Sequence, residues 1–186
     1  GTFGALITSG SSALLGTTSS LIGTSNADQI NGASGADTIT GGNGIDTITG
    51  GSGADTFVFD TVILAANASN IGDFDQSAGD ILRFDATTFD NYTSGGTAVV
   101  ANVATVEALA DDASADDEYV IVDTAANIAA MNVTAELGGE AFVAIASDTG
   151  AIYYADDGDG GDVVQIGSIT AAEAAALTAS NFLFVA

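Results

Sequence analysis

The sequence contains no cysteine, no histidine and no lysine, and Arg83 is its only basic residue. Disulfide bonds are therefore excluded. The zinc site of metalloproteases, Ser-His-Asp and Cys-His nucleophiles, Schiff-base lysines and phosphate-binding loops are excluded too, because each needs a residue type that is missing. A pair of carboxylates, as in glycoside hydrolysis, stays open, but among 20 aspartates such pairs arise by chance. We therefore expect no enzyme activity in this chain.

Acidic residues dominate the charge, since 25 aspartates and glutamates against one basic residue give a formal net charge of −24. Such a chain repels nucleic acid and anionic membranes, so neither is an expected partner. No apolar stretch is long enough to span a bilayer, which predicts no membrane insertion. No basic and apolar leader follows Gly1, so we expect the chain to begin inside a longer protein or after processing.

Four consecutive segments of nine residues share one pattern between Gly23 and Asp60. They read GTSNADQIN, GASGADTIT, GGNGIDTIT and GGSGADTFV, with aspartate at position six and an apolar residue at position eight. The aspartates are Asp28, Asp37, Asp46 and Asp55, and the apolar residues are Ile30, Ile39, Ile48 and Phe57. Such a regular period favours a stacked repeat fold over a low-complexity linker.

The pattern predicts a coil of short strands with cation sites along its edges. Glycines permit positive φ values, so six residues of each unit can wrap a cation with carbonyl oxygens, while the other three form a strand. Two units make one turn, so Asp28 lies over Asp46 and Asp37 over Asp55. Carboxylates stacked one strand spacing apart repel each other unless a cation lies between them, and an oxygen-only shell suits Ca²⁺.

These repeats resemble the RTX family, the calcium-binding parallel β-rolls of bacterial proteins exported by type I secretion. In that family one loop gives positions two, four and six to a calcium ion, and the loop one turn later gives positions one, three and six. The resemblance implies one site at Thr24, Asn26, Asp28, Gly41, Asn43 and Asp46, and another at Ala33, Gly35, Asp37, Gly50, Ser52 and Asp55. Because Thr24 and Asn26 replace glycines, the first loop is expected to be distorted.

The residues before the repeats are expected to cap the roll. Extending the register backwards puts Leu21 at the apolar position and Ser19 where aspartate belongs. We predict a lead-in and a degenerate capping rung over residues 1–22, because terminal repeats are usually atypical. For residues 1–12, a flexible lead-in from an upstream domain is an equal alternative.

The residues after the repeats are expected to close the other end. Alternation predicts strands at Thr56–Phe59 and Ile81–Phe84, with a turn between them at Ser77–Gly79. This segment also resembles RTX chains, where Asp73 and Asp80 would join the final calcium sites. The alternative for Asp75 and Asp85 is an ordinary solvated charge at a strand edge.

Residues 61–186 are predicted to form a β-rich domain with one or two short helices. EYVIVDT predicts a buried strand, TAANIAAM a helical turn, and FVAIASDTGAIYYADD a hairpin. Val103, Val106 and Leu109 fit one face of a short helix, and Thr170 with Glu173 forms a capping box. The acidic clusters Asp111–Asp117 and Asp156–Asp162 are either solvated loops or further cation sites. LTASNF, with Asn181 where Asp is common, resembles the end of RTX proteins and implies a C-terminal secretion signal.

The sequence thus predicts a mainly β chain: a lead-in over residues 1–22, an RTX β-roll over residues 23–60, and a β-rich capping domain over residues 61–186. Several calcium ions are the expected cofactor. The expected function is that of a secreted structural protein of a cell surface, S-layer, filament, biofilm matrix or adhesin. After type I secretion it would fold on calcium and form a homo-oligomer or polymer. The alternative is the calcium-dependent export and folding tail of a larger secreted enzyme, such as a protease or lipase.

Overall fold

The computed structural model describes residues 6–8, 18–60, 65–85, 88–89, 97–101, 117–130, 142–155 and 163–185. The strands there are β1 Leu6–Thr8, β2 Ser20–Ile22, β3 Gln29–Asn31, β4 Thr38–Thr40, β5 Thr47–Thr49, β6 Thr56–Phe59, β7 Ser69–Ile71, β8 Ile81–Asp85, β9 Thr97–Ala101, β10 Asp117–Asp123, β11 Phe142–Ala146, β12 Ala151–Ala155, β13 Val163–Ser168 and β14 Phe182–Val185. The helices are α1 Ala125–Ala130 and α2 Ala171–Ala174, with 3-10 turns at Ala65–Asn67 and Ala179–Asn181. The predicted mainly β fold with short helices is confirmed.

Consecutive strands of the repeat region alternate between two sheets, as a β-roll requires. One sheet has nine strands in the order β1-β3-β5-β7-β13-β12-β11-β10-β9, and the other has five in the order β14-β8-β6-β4-β2. Every pairing of the five-stranded sheet is parallel. The strands are short because each nine-residue unit leaves only three residues outside its loop, and the β-branched Thr-Ile-Thr triplets suit a strand.

The register of the roll is the one the repeat period predicts. Ile30 pairs with Ile48, and Ile39 pairs with Phe57. Leu21 continues this register before the first repeat, since it pairs with Ile39. These apolar side chains point between the two sheets and are buried, while the threonines flanking them are more exposed. Burying one side chain per unit stabilises the roll only when several turns stack.

Both sheets continue past the last repeat. Strand β7 pairs with β5, and β8 pairs with β6, so the segment after residue 60 supplies the next rung on each side. Strand β14, at the end of the described chain, pairs with β8 in the register Phe182–Leu82 and Phe184–Phe84. The predicted boundary at residue 60 therefore marks the end of the nine-residue period and not the end of either sheet.

Aromatic side chains fill the end of the roll where the two sheets meet the C-terminal strands. The Phe84 ring has its centroid 5.0 Å from that of Phe59, 5.4 Å from that of Phe89 and 5.7 Å from that of Phe184. Phe89 also meets Tyr154 of β12 edge to face, at 5.0 Å. One apolar core therefore joins the repeats to the later strands.

The elements predicted beyond the repeats are found where they can be checked. Strands β11 and β12 form the expected antiparallel hairpin, and α1 lies at the predicted helical turn. The predicted helix with Val103, Val106 and Leu109 lies outside the described residues, as do residues 111–116 and 156–162 of the acidic clusters. Asp117, the last residue of the first cluster, begins β10. No helix among the described residues is long and apolar enough to cross a membrane.

Candidate calcium sites

The aspartates at position six form hydrogen-bonded columns along the two edges of the roll. The amide of Asp28 donates to Oδ1 of Asp46 at 2.9 Å, and the amide of Asp37 donates to Oδ1 of Asp55 at 2.8 Å. Each pair is separated by 18 residues, one full turn. The predicted stacking of the carboxylates is therefore observed. All four residues are buried, with at most 2% of their surface exposed.

The column that contains Asp37 and Asp55 continues in both directions beyond the repeats. Below it, the amide of Ser19 donates to Oδ1 of Asp37 at 2.7 Å. Above it, the amide of Asp55 donates to Oδ1 of Asp80 at 2.8 Å, and the amide of Asp75 donates to Oδ2 of Asp80 at 2.9 Å. Asp80 thus takes the position-six place of the next rung, 25 residues after Asp55.

In this column, one carboxylate oxygen of each of two aspartates is available to a cation. Oδ2 of Asp37 and Oδ2 of Asp55 are buried and have no hydrogen-bond partner among the described residues. A buried, charged oxygen without a partner costs several kcal/mol, which a bound cation would offset. Across the described residues, no group of three acidic side chains could hold a metal ion, so a cation between two stacked carboxylates would need further oxygen ligands, such as the main-chain carbonyl groups of the loops.

Glycine at position one leaves the space that faces each carboxylate. A Cβ atom added at Gly32 would lie 2.6 Å from Oδ2 of Asp37, and one at Gly50 would lie 2.5 Å from Oδ2 of Asp55. Both distances are shorter than side-chain atoms tolerate, so any larger residue there would fill the space beside the carboxylate. The glycine loops are therefore cradles shaped around the carboxylate oxygens.

Burial raises the pKa of three carboxyl groups in these columns. The largest cause for Asp46, Asp55 and Asp80 is removal from water, and the negative charge of a neighbouring aspartate adds to it. Hydrogen bonds from backbone amides act in the opposite direction without cancelling the effect. The columns therefore hold negative charge at an energetic cost that a divalent cation would relieve.

The predicted ligands Ala33, Gly35, Gly50 and Ser52 lie together in two stacked loops. Ala33 adopts a φ of 74°, so position two keeps a left-handed backbone although it lacks glycine. The carbonyl oxygen of Ala33 accepts from the amide of Ser52 at 3.1 Å, and that of Ser52 accepts from the amide of Gly35 at 2.8 Å. A carbonyl oxygen has a second lone pair, so these bonds are compatible with the ligand assignment, which stays a prediction.

The predicted ligands of the first site are arranged differently. Neither Thr24 nor Asn26 is among the described residues with positive φ, whereas Gly42 and Gly44 of the facing loop are. The Thr24 hydroxyl donates to Oδ2 of Asp28 at 2.9 Å and accepts from the amide of Asn26 at 3.2 Å. The first loop therefore departs from the shape of the others, as its missing glycines led us to expect.

Two further predicted ligands of that site, Asn43 and Gly41, contact the rungs on opposite sides. The side-chain oxygen of Asn43 accepts from Nδ2 of Asn67 at 3.1 Å. Gly41 packs so closely above Gly23 that a Cβ atom on Gly23 would overlap the Gly41 carbonyl oxygen. The Gly41 carbonyl therefore lies directly over the first loop. Its role as a ligand, like that of Asn43, stays a prediction.

Asp73, the other predicted ligand, holds the loop of the fourth repeat. Its two carboxylate oxygens accept from the amides of Gly50 and Gly51, each at 2.8 Å. Its charge raises the pKa of both Asp55 and Asp80, behind burial and the other contributors. Asp73 is therefore close to the column that Asp55 and Asp80 form, and its direct role as a calcium ligand stays a prediction.

Two site residues were missed by the sequence reasoning. Ser69 takes the position-six place after Asp46, donating from its hydroxyl to Oδ2 of Asp46 at 3.0 Å and accepting from the Asp46 amide at 3.3 Å. Asn67 accepts from the amide of Gly44 at 2.9 Å. The column on this edge thus ends in neutral groups. The sequence signal for Ser69 is the S-N-I triplet, in which the apolar Ile71 follows Ser69 by two residues, as in the repeats. The spacing obscured this signal, because 23 residues separate Ser69 from Asp46.

Buried carboxylates stacked between glycine loops, two of them with an oxygen that has no partner among the described residues, define a calcium-binding parallel β-roll. Residues 22–57 match the RTX calcium-binding nonapeptide repeat in four copies. The chain therefore carries RTX repeats, and calcium is their ligand, so both predictions are confirmed. No curated protein is a match to this chain in sequence.

Two solved structures are similar in shape. The AlgE6R3 subunit of the Azotobacter vinelandii mannuronan C5-epimerase is 22% identical, with a TM-score of 0.47, over 96% of this chain and 78% of that chain. The AlgE6R2 subunit of the same enzyme is 24% identical, with a TM-score of 0.44, over 91% of each chain. Assignment of calcium here depends on the repeats and on the carboxylate columns.

Proposed function

We propose that this chain is a secreted, non-enzymatic structural module of a cell surface or extracellular matrix, which folds on calcium after type I export and then assembles with copies of itself. The observation that carries the proposal is the pair of buried oxygens on Asp37 and Asp55 that have no hydrogen-bond partner in the part of the chain that the structure describes. Those oxygens make the folded state depend on a cation that is scarce in the cytosol and abundant outside the cell.

The charge of the chain supports folding after export. With a formal net charge of −24, self-repulsion opposes the compact state until cations bind. If each site had a Kd on the order of 10⁻⁴ M and external calcium were about a hundredfold higher, each ion would stabilise the fold by roughly 2.7 kcal/mol. Three such sites would approach the whole stability of an ordinary domain.

Circular dichroism tests the folding step. We expect a disordered spectrum in EDTA and a β-rich spectrum in millimolar calcium, with magnesium at the same concentration as the control for ionic strength. Magnesium demands a smaller, octahedral shell and keeps its waters, so it should not replace calcium here. A spectrum that is the same in EDTA and in calcium would contradict the proposal.

The five-stranded sheet supports assembly. Its edge strands, β2 and β14, each pair with only one neighbour among the described strands, and β9 approaches β14 without pairing with it. The row of paired residues that crosses the sheet begins at Ile22 and ends at Leu183, which are 67% and 40% exposed, while Val58 in the middle of the row is buried. A second copy that continued the sheet would bring Leu183 beside Ile22 of its neighbour, a head-to-tail contact that forms open polymers.

Electron microscopy after calcium addition tests the assembly step. Ordered filaments or sheets are expected from the wild type, and Ile22→Asp or Leu183→Asp should abolish them by placing a charge in the contact. Ile45→Asp is the matched control, because Ile45 is also exposed, at 58%, but lies in a loop. Folded, stable monomers of the wild type would favour the alternative, an export and folding tail of a larger secreted enzyme.

A further inference from the structure

The C-terminal segment, residues 170–185, makes a buried hydrogen bond to the main chain of Asp80. Nδ2 of Asn181 donates to the carbonyl oxygen of Asp80 at 3.1 Å, across 101 residues of sequence. The orientation of the Asn181 amide is fixed, because its Oδ1 accepts from both the amide and the hydroxyl of Thr178, each at 3.0 Å. An ionised aspartate at this position would have no hydrogen to donate.

A second contact joins the same segment to the turn before Asp80. Thr170 caps helix α2 and accepts from the amide of Glu173 at 3.4 Å, as the capping box predicts. The Glu173 carboxylate, however, accepts from the amide of Gln76 at 3.0 Å, across 97 residues. Gln76 follows Asp75, whose amide holds Oδ2 of Asp80.

These contacts place Asp80 between the repeats and the C-terminal segment. Its carboxylate accepts from the amides of Asp55 and Asp75, and its carbonyl accepts from Asn181. Strand β14 then pairs with β8, which begins at the residue after Asp80. Asp80 therefore links the column of carboxylates, through its side chain, to the C-terminal segment, through its carbonyl group.

We propose that residues 170–185 act as a latch on the Asp80 calcium site, with Asn181 and Glu173 as positioning residues. Calcium binding beside Asp80 and docking of the segment stabilise each other. The coupling is reciprocal, because the factor by which bound calcium raises the docking equilibrium constant equals the factor by which docking raises calcium affinity. The inference rests on the predicted role of Asp80 as a calcium ligand, and it extends that role to the far end of the chain.

Asn181→Asp is the central test, because it keeps the shape and the Oδ1 acceptor for Thr178 while removing the donor to Asp80. Calcium is titrated into the full chain, and amide resonances report on each edge separately. At Gly50 and Gly51, beside Asp73, the dissociation constant should rise about tenfold, the effect expected when a buried carbonyl loses its donor. At Gly41 and Gly44, on the other edge of the roll, it should stay unchanged.

Glu173 supplies a second pair of variants in case Asn181→Asp fails to fold. Glu173→Ala removes the acceptor for the Gln76 amide and should weaken calcium binding at Gly50 and Gly51 severalfold. Glu173→Gln keeps an acceptor oxygen and should restore most of the affinity. In the reverse direction, Asp80→Asn should speed amide hydrogen exchange of Phe182–Val185 in the presence of calcium, a readout that does not depend on measuring affinity.

Three outcomes would overturn the proposal. If Asn181→Asp leaves both groups of resonances with wild-type affinity, the segment does not act on the site. If both edges weaken equally, the substitution destabilises the whole fold and the coupling is not specific. If Gly50 and Gly51 of the wild type do not respond to calcium while Gly41 and Gly44 do, the edge of the roll that contains Asp37, Asp55 and Asp80 binds no calcium, and the latch fails although the other edge of the roll still binds the ion.

Discussion

The amide of Asp37 donates to one carboxylate oxygen of Asp55 at 2.8 Å, while the other oxygen of Asp55 is buried with no partner among the described residues. One atom of the side chain thus builds the column, and the other is available to a cation. Asp55 itself donates from its amide to Asp80, so it belongs to two successive steps of the column. Asp55 therefore both holds the column together and offers an oxygen to a cation.

The substitution Asp55→Asn should separate these two roles. The new amide side chain would keep an acceptor for the Asp37 amide but lose the charge, so the calcium concentration needed for folding should rise by about tenfold or more. Circular dichroism during a calcium titration gives the midpoint. Asp75→Asn is the matched control, because Asp75 is exposed and only caps a local turn through Ser77 and Ala78, which an asparagine also does. Equal shifts in the two variants would contradict the special role of Asp55.

The space beside the Asp55 carboxylate can be tested by adding one methyl group at Gly50. In Gly50→Ala the new Cβ would lie 2.5 Å from Oδ2 of Asp55 and 2.9 Å from the Phe57 ring, so both calcium affinity and stability should fall. The expected loss of stability is about 1–3 kcal/mol, as for other overpacked sites, measured by urea denaturation in saturating calcium.

Gly72→Ala controls for the general cost of replacing a glycine. Its Cβ would lie 3.8 Å from the nearest atom, the Ile48 carbonyl oxygen, which is ordinary contact. We therefore expect little change in either measurement. A Gly50→Ala variant that bound calcium and resisted urea like Gly72→Ala would show that the space beside Asp55 has no function.

Lowering the pH should stabilise the calcium-free protein and so partly replace the effect of calcium. Burial raises the pKa of Asp46, Asp55 and Asp80 above the ordinary value, which the unfolded chain keeps. The folded state therefore binds protons more readily than the unfolded state, so without calcium the folding free energy improves as pH falls from neutrality through the raised pKa values. The gain is complete once pH is below the unfolded value.

Thermal melts in EDTA at a series of pH values between neutrality and about pH 5 give the measurement for this effect. The melting temperature should rise as pH falls, whereas in calcium it should fall, because protons compete with the ion for the same oxygens. The two opposite slopes form an internal control. A calcium-free protein that lost stability on acidification would contradict the assignment of buried, strained carboxylates.

The repeat region could be predicted closely because its information is local and periodic. One aspartate and one apolar residue in every nine determine which side chains stack, and the observed pairs Ile30–Ile48 and Asp37–Asp55 follow from counting. Outside the repeats, the nine-residue spacing no longer identifies which residues pair. Ser69 stands 23 residues after its partner Asp46, since inserted residues form a 3-10 turn between them.

Long-range partners explain the other part that the sequence did not reveal. Of the capping box predicted from local spacing, the bond from the Glu173 amide to the Thr170 hydroxyl is observed, but the Glu173 carboxylate accepts from Gln76, a partner that nothing local identifies. The same holds for Asn181, whose amide bonds to Asp80 only because β14 joins the sheet beside β8. Such contacts depend on the assembled sheets, and a single sequence shows only the two separate segments.

Replacing Ala33 by glycine is expected to maintain or increase the stability of the protein. Its φ of 74° is a left-handed conformation that costs a residue with a Cβ about 1–2 kcal/mol, and glycine avoids that cost. Glycine also makes the unfolded chain more flexible, at roughly 0.4–1 kcal/mol. Ala33→Gly should therefore leave stability in calcium equal or raise it by up to about 1 kcal/mol, by urea denaturation. Ala36→Gly, in the same exposed loop but without positive φ, carries only the flexibility cost and should lower stability. If the two variants lost stability equally, the left-handed backbone at Ala33 would not be the conformation of the calcium-bound loop.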